Sequence, residues 1–168
     1  MNLRRSVFYF IIYWIGIVIQ FGWMRYFAPY GLAPNVILVL LIFVGLMRGP
    51  FAGELMGFAW GLSWDIMSVD LFGSHALLFT CIGYLSGFLS HKWNESKIVS
   101  QVVITGIGSI LYWIGIAAIS QIFAPGEFTV KINYIAALQP LYNMLIAPAF
   151  FIIGNFAVDH FMIDLEEY

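Results

Sequence analysis

The sequence predicts an all-α integral membrane protein, a bundle of six transmembrane helices. Of its 168 residues, 62% are hydrophobic and only 10% are charged, whereas a soluble globular domain usually carries about 25% charged residues. The polar residues fall in short breaks that separate six apolar segments. Backbone N–H groups in lipid must be bonded within their own segment, and the alternation of a barrel strand is absent, so we expect each segment to be helical.

The predicted spans are roughly residues 6–24, 32–47, 50–67, 73–90, 98–123 and 133–158. The first follows Arg4 and Arg5, and its apolar run is longer than the roughly 7–15 residues of a signal-peptide core, so we interpret it as a retained span. A spanning helix needs about 20 mostly apolar residues. Six spans with short turns therefore occupy nearly the whole chain as one transmembrane domain.

The second segment is short for a span. Residues 32–47 give about 24 Å of helix, against a hydrocarbon core of about 30 Å. A re-entrant hairpin formed by the second and third segments is the alternative, but it would place Arg48 at membrane depth at a cost of at least about 2.5 kcal/mol. We therefore favour two short spans that meet at a cytoplasmic turn, Arg48-Gly49-Pro50, with Pro50 in the first turn of the third helix.

Lysine and arginine predict the orientation. With the N-terminus inside, the side opposite the cytoplasm holds only Arg25 and Lys131, and the cytoplasmic side holds Arg4, Arg5, Arg48, Lys92 and Lys97. Basic residues near the ends of spans favour the cytoplasmic side. We therefore predict that both termini are cytoplasmic.

Glycines recur every four residues along the third segment, at Gly53, Gly57 and Gly61. Small residues at this spacing let a second helix backbone come close. The stripe advances about 40° per step around a helix, which suits a neighbour that crosses at an angle. Two interpretations stay open: packing within this protein's own bundle, and a docking face for a partner's spanning helix. The second makes these three glycines the candidate docking site.

Asp65 continues the same series, and Glu54 precedes it on the same segment. Their separation aligns them to within about 20° on one helix face, with the carboxylates about 16 Å apart along the axis. That distance excludes a pair of catalytic carboxylates, which lie roughly 5–10 Å apart. Each acid is either a functional group inside the membrane or a side chain that extends to the lipid headgroups.

The sequence predicts no catalytic, cofactor or metal site. His75 follows Asp65, but no second histidine or cysteine lies at metal-ligand spacing. G-x-S-x-G, H-E-x-x-H and Walker motifs are absent, so we predict that the protein is not an enzyme. Cys81, the only cysteine, lies in an apolar run and is predicted to be a small buried core residue. A net charge of −2 without a basic patch excludes nucleic acid as a partner.

Amides stand out in the last segment, where Gln139 and Asn143 share one helix face. An amide in a spanning helix can hydrogen-bond a neighbouring helix, which contributes roughly 0.6–2 kcal/mol. Polar faces of this kind occur in transporters and in scaffolds. Packing within the bundle is the interpretation we favour for Asn143.

The run from residue 34 to 87 resembles the rod-shape-determining membrane protein family MreD. The resemblance rests on Pro34-Asn35 at the start of the second span, on the Arg48-Gly49-Pro50 turn and on the glycine series that ends in Asp65. It continues with Gly73, Ala76, Gly83-Tyr84 and Gly87, and LYNMLIAP, Leu141 to Pro148, resembles the family's last span. The polar residues of the pattern are Asn35, Arg48, Asp65, Tyr84 and Asn143. Asn35 departs from the aspartate that the family often has, and Glu54 lies outside the pattern.

The resemblance implies a multi-pass protein of the bacterial inner (cytoplasmic) membrane. It implies a non-enzymatic scaffold of the cell-elongation complex that binds the single-span protein MreC and supports side-wall peptidoglycan synthesis and rod cell shape. The wider complex contains MreB, a RodA-type glycosyltransferase and a class B penicillin-binding transpeptidase, and membrane lipid is a further partner of this chain. The implied fold is similar to the substrate-binding component of energy-coupling-factor transporters.

The alternative function is a small-molecule (vitamin-type) binding subunit of such a transporter. Six spans with small-residue faces fit it as well. From Phe8 to Gln20, however, the first span lacks an Ala-x-x-x-Ala-like docking motif and carries bulky aromatic residues, with only Gly16 among the small ones. An outer pocket lined by aromatic and amide side chains would favour the transporter. A pocket closed by packed side chains would favour the scaffold.

Overall fold

The computed structural model describes residues 3–23, 33–68, 71–90, 98–123 and 134–162. These residues form six helices: α1 (Leu3–Ile17, continued by a π-helical segment, Val18–Trp23), α2 (Val36–Arg48), α3 (Pro50–Met67), α4 (Ser74–Ser90), α5 (Ile98–Phe123) and α6 (Tyr134–Met162). No strand occurs among them, so the all-α prediction is confirmed. Arg25, Lys92, Lys97 and Lys131, on which the predicted orientation depends, lie outside the described residues.

The short helix α2 is the centre of the bundle. Every side chain from Val36 to Leu46 is buried, and α2 contacts α1, α3, α4, α5 and α6. A helix that is apolar on all sides is expected to be surrounded by other helices. Its 13 residues are about 20 Å long, so the segment that looked short for a span forms the core around which the others pack.

A single residue separates α2 from α3. Gly49 has a φ of 85°, and its N–H donates to Gly45 O at 2.8 Å, which ends α2. Glycine adopts positive φ without the steric cost of a Cβ atom, and Pro50 then occupies the first turn of α3, where its missing N–H is not needed. The helix turn therefore lies where the Arg48-Gly49-Pro50 pattern predicts it.

The glycine stripe of α3 packs against α4 of the same chain. A Cβ atom on Gly53 would lie 2.2 Å from Gly83 O, and one on Gly57 would lie 2.3 Å from Phe79 O. A Cβ atom on Gly61 would lie 2.4 Å from Ala76 Cα. The two helices are antiparallel and their backbones touch, so no side chain fits between them. The structure thus supports the internal-packing interpretation, and the docking hypothesis for Gly53, Gly57 and Gly61 does not hold, because α4 already occupies that face.

The bundle has an apolar exterior and polar groups in its interior. Two helices, α5 and the Leu138–Val158 part of α6, are long and apolar enough to cross a membrane. Large apolar side chains are exposed on α1 and on α3 to α6, for example Phe10, Phe51, Leu77, Val99 and Leu145. The buried polar residues include Gln20, Asn35, Asp65, His75, Gln101, Thr105, Ser109 and Asn143. Most of these lie in two clusters, each at the start of a helix.

Candidate functional site

The first cluster caps the start of α2, and we call it the α2 cap: Gln20, Asn35, Ser109 and Asn143. The first N–H groups of any helix lack partners within the helix. Gln20 Oε1 accepts hydrogen bonds from the N–H groups of Val36 (2.7 Å) and Ile37 (3.4 Å). Asn35 Oδ1 accepts one from the N–H of Leu38 at 3.0 Å. Side-chain amides thus satisfy the backbone at the buried start of α2.

Asn143 connects the α2 cap to α5 and α6. Its Oδ1 accepts a hydrogen bond from the N–H of Asn35 at 2.7 Å, and its Nδ2 donates to Ser109 Oγ at 2.9 Å. Ser109 Oγ in turn donates to Thr105 O at 2.7 Å. The prediction that Asn143 bonds a neighbouring helix is confirmed. Gln20 was missed in the sequence, where a lone amide in an aromatic-rich span gave the only signal.

The second cluster holds the start of α4, and we call it the α4 cap: Asp65 and His75. Asp65 Oδ2 accepts from the N–H of Ala76 at 2.9 Å, and Oδ1 accepts from the N–H of His75 at 3.0 Å. His75 Nδ1 lies 2.9 Å from the same oxygen. A carboxylate at a helix N-terminus also interacts favourably with the helix dipole. Asp65 is buried, so it acts as a cap from α3 and does not extend to the headgroups.

The surroundings of the α4 cap are aromatic. The His75 ring stacks on Trp64, with ring centroids 5.5 Å apart, and lies beside Phe79 and Tyr112. Ser74 Oγ donates to Leu71 O at 2.7 Å, so Asp65 rather than Ser74 accepts from the first N–H groups of α4. No group of three metal-binding side chains occurs among the described residues. The α4 cap therefore joins α3 to α4.

Glu54 differs from Asp65, although both lie on α3. Glu54 is exposed and Asp65 is buried. The direction in which α3 contacts α4 turns by about 80° between Gly53 and Gly61, because each step of four residues advances about 40°. At the level of Glu54, α4 therefore lies to one side of the Glu54 side chain. At the level of Asp65, the start of α4 lies against the carboxylate and donates hydrogen bonds to it. Alignment on one helix face did not predict equal burial because the neighbour crosses α3.

The remaining polar residues of the pattern lie apart from both clusters. Arg48, half-buried at the end of α2, places its guanidinium carbon 5.8 Å from the centroid of the Phe8 ring, a cation–π contact. Tyr84 is on the exposed side of α4. Cys81 is also exposed there, so the prediction of a buried core cysteine is wrong: α4 turns that residue away from α2 and α3. The five polar residues of the pattern thus do not converge on one site.

An open groove between α4 and α5 is lined by apolar side chains. Ile82 and Leu85 form one wall and Ile104, Ile107 and Leu111 the other, with Ser86 as a polar contributor. The groove contains neither the aromatic nor the amide side chains of a vitamin-type site. The buried amides of the α2 cap bond to backbone and to each other instead. The lining of this groove therefore does not match the site expected of the transporter subunit.

Comparison with known families matches most of the chain to one family model. The family model described as rod shape-determining protein MreD matches residues 2–156. No curated protein and no solved structure matches the chain. The expected similarity to the substrate-binding component of energy-coupling-factor transporters is therefore without support from solved structures.

Proposed function

The chain belongs to the MreD family of rod shape-determining proteins, which are bacterial membrane proteins, and on that premise we propose that it is a non-enzymatic scaffold of the cell-elongation complex. In this proposal it lies in the inner membrane as a multi-pass protein and binds MreC. Through MreC it supports side-wall peptidoglycan synthesis and rod shape. MreB, a RodA-type glycosyltransferase and a class B penicillin-binding transpeptidase belong to the wider complex.

The apolar exterior carries this proposal. Soluble monomers rarely expose a contiguous apolar patch larger than a few hundred Å², whereas this bundle exposes large apolar side chains along α3 to α6. Phe51 is 77% exposed, Leu145 74% and Val99 73%. In a bilayer the same surface contacts lipid without cost, and the helices satisfy their own backbone. We therefore propose that the six helices cross the membrane.

The interior supports a structural role over a catalytic or transport role. The side chains of Asp65 and His75 are hydrogen-bonded to each other, and together they join α3 to α4. The amides of the α2 cap are bonded to the start of α2 and to neighbouring helices. Polar groups that are already used in this way do not offer a substrate site. The surface, rather than a pocket, remains as the place where the protein acts on its partners.

The test is copurification from native bacterial membranes. We expect a tagged chain, extracted in mild detergent, to recover MreC and a class B transpeptidase, and an unrelated tagged six-span protein of equal abundance to recover neither. Deletion of the gene should convert rods to spheres, and the wild-type gene should restore them. Recovery of a vitamin without MreC would overturn the scaffold and favour the transporter subunit.

A further inference from the structure

Glu54 is a charged side chain on the outer surface of the bundle. The structure describes the side chains of three residues among its Asp, Glu, Lys and Arg: Arg48, Glu54 and Asp65. Asp65 is buried in the α4 cap, and Arg48 is half-buried over Phe8. Glu54 alone among these three is exposed, and within the described residues it makes no hydrogen bond or ion pair.

The side chains around Glu54 are apolar. Phe51 and Phe58, one turn before and one turn after it on the same side of α3, are 77% and 52% exposed, and Leu55 beside it is 59% exposed. Glu54 lies five residues after Gly49, the turn before α3, which is about 7.5 Å along the axis of α3. In the proposed membrane arrangement the carboxylate therefore lies just inside the hydrocarbon edge, in the middle of an apolar helix face.

The adjoining side of α4 extends this apolar face. Leu77, Cys81, Tyr84 and Phe88 are exposed at a spacing that forms one stripe along α4. The contact between Gly53 and Gly83 brings the two backbones together, and Glu54 and Tyr84 each follow one of these glycines. Both lie on the side of the helix pair that faces away from α2. We call this surface, from Phe51 to Phe58 and from Leu77 to Phe88, the α3–α4 outer face.

We propose that the α3–α4 outer face docks a partner's spanning helix that carries a lysine or arginine opposite Glu54. The inference rests on the proposed scaffold function and specifies where its partner binds. A carboxylate in the hydrocarbon region is costly unless a cation accompanies it, so charge complementarity selects a basic helix. The apolar stripes on either side provide the packing surface, and the ion pair fixes the depth of the partner.

The same charge argues against a second copy of this chain on this face. Two copies related by a two-fold axis along the membrane normal would place their equivalent residues at equal depth. The two Glu54 carboxylates would then face each other across the interface, where like charges repel. A partner of opposite charge has no such cost.

The experiment uses the full-length chain co-expressed with MreC, with the amount of MreC recovered per tagged chain as the measurement. Glu54→Lys should reduce recovery about tenfold, and Glu54→Gln and Phe58→Ala less, because like charge adds repulsion to the loss of the pair. Phe123→Ala, which removes an exposed phenylalanine from α5, is the matched control and should leave recovery unchanged. Exchange of a basic residue near the cytoplasmic end of the MreC span for glutamate should restore binding to Glu54→Lys.

A photo-crosslinking residue provides a second measurement that does not depend on affinity. Placed at Tyr84 it should crosslink to MreC, and placed at Leu145 on α6 it should not. If the wild-type chain fails to recover MreC, the proposed function and this inference both fall. If the wild-type chain recovers MreC but Glu54→Lys does so equally well, only the inference falls. Retention of phosphatidylethanolamine by the wild type but not by Glu54→Gln, with MreC binding unchanged, would assign the face to lipid and also overturn it.

Discussion

The starts of α2 and α4 meet the same need with different chemistry. Both helices begin with N–H groups that have no partner within the helix. At α2, which contacts every other helix, neutral amides from α1 and α6 supply the acceptors. At α4, next to the exposed Leu71 and Phe72, the carboxylate of Asp65 supplies them together with His75. A carboxylate with a histidine beside it and a set of neutral amides thus satisfy the same kind of buried helix start.

Asp65→Ala should produce the largest loss of stability. It removes the acceptor of two buried backbone N–H groups and the hydrogen bond between Asp65 and the His75 ring, so we expect the free energy of unfolding to fall by about 3 kcal/mol or more. Unfolding in detergent, followed by circular dichroism, measures it. Glu54→Ala is the matched control, since that acid is exposed, and it should change stability by less than about 0.5 kcal/mol. Equal effects of the two changes would show that the α4 cap contributes nothing.

Gln20→Leu should rank second. Its Oε1 serves two N–H groups of α2, and loss of that acceptor leaves them buried and unsatisfied, at a cost of about 2 kcal/mol. The same unfolding measurement applies. Gln121→Leu, an exposed glutamine on α5, should be neutral. A loss larger than that of Asp65→Ala would reverse the comparison and make the neutral cap the stronger one.

Asn143→Ala should cost about 1–2 kcal/mol, because it removes the acceptor of the Asn35 N–H and the donor to Ser109. Asn155→Ala, on the same helix, is the control. Asn155 Oδ1 is buried without a hydrogen-bond partner, so its loss should have little effect on the unfolding midpoint. If the two variants unfolded at the same midpoint, the link from α6 to α2 would be energetically unimportant.

Asn35→Asp should have the smallest effect, within about 1 kcal/mol of the wild type. The carboxylate keeps the acceptor for the Leu38 N–H and gains from the dipole of α2, which offsets the burial of a charge. It also removes Asn35 Nδ2, a buried donor without a partner. Unfolding in detergent measures the change. A loss as large as that of Asp65→Ala would show that the centre of the bundle rejects charge.

The sequence was enough to predict the helices but not the contacts between them. The composition and the apolar runs identified an all-α fold, and Gly49-Pro50 identified the turn between α2 and α3. The four-residue spacing of Gly53, Gly57 and Gly61 identified a close helix contact and its crossing. Spacing alone does not identify the helix that makes this contact. The backbone of α4 and the backbone of a partner's helix would pack against these glycines in the same way.

The polar groups were harder to predict for a related reason. Asp65 and Asn143 stood out in the sequence, but their roles as caps depend on helices that meet only in three dimensions. Gln20 reaches α2 from a π-helical segment, whose wider turn shifts the direction of its side chains and is not visible in a helical pattern. The apolar neighbours of Cys81 in the sequence predict a buried side chain, but in this bundle apolar residues also cover the outside.

The hydrogen bond from the Asn35 N–H to Asn143 has a consequence for biogenesis. The two residues are 108 positions apart, so the central helix is synthesised long before the last helix emerges from the ribosome. Until then this amide has no acceptor from α6, and the growing chain carries an unmet polar group in its middle. Insertion of α6 supplies the acceptor, so a chain that still lacks α6 differs from a finished one by an unsatisfied amide at the start of its central helix.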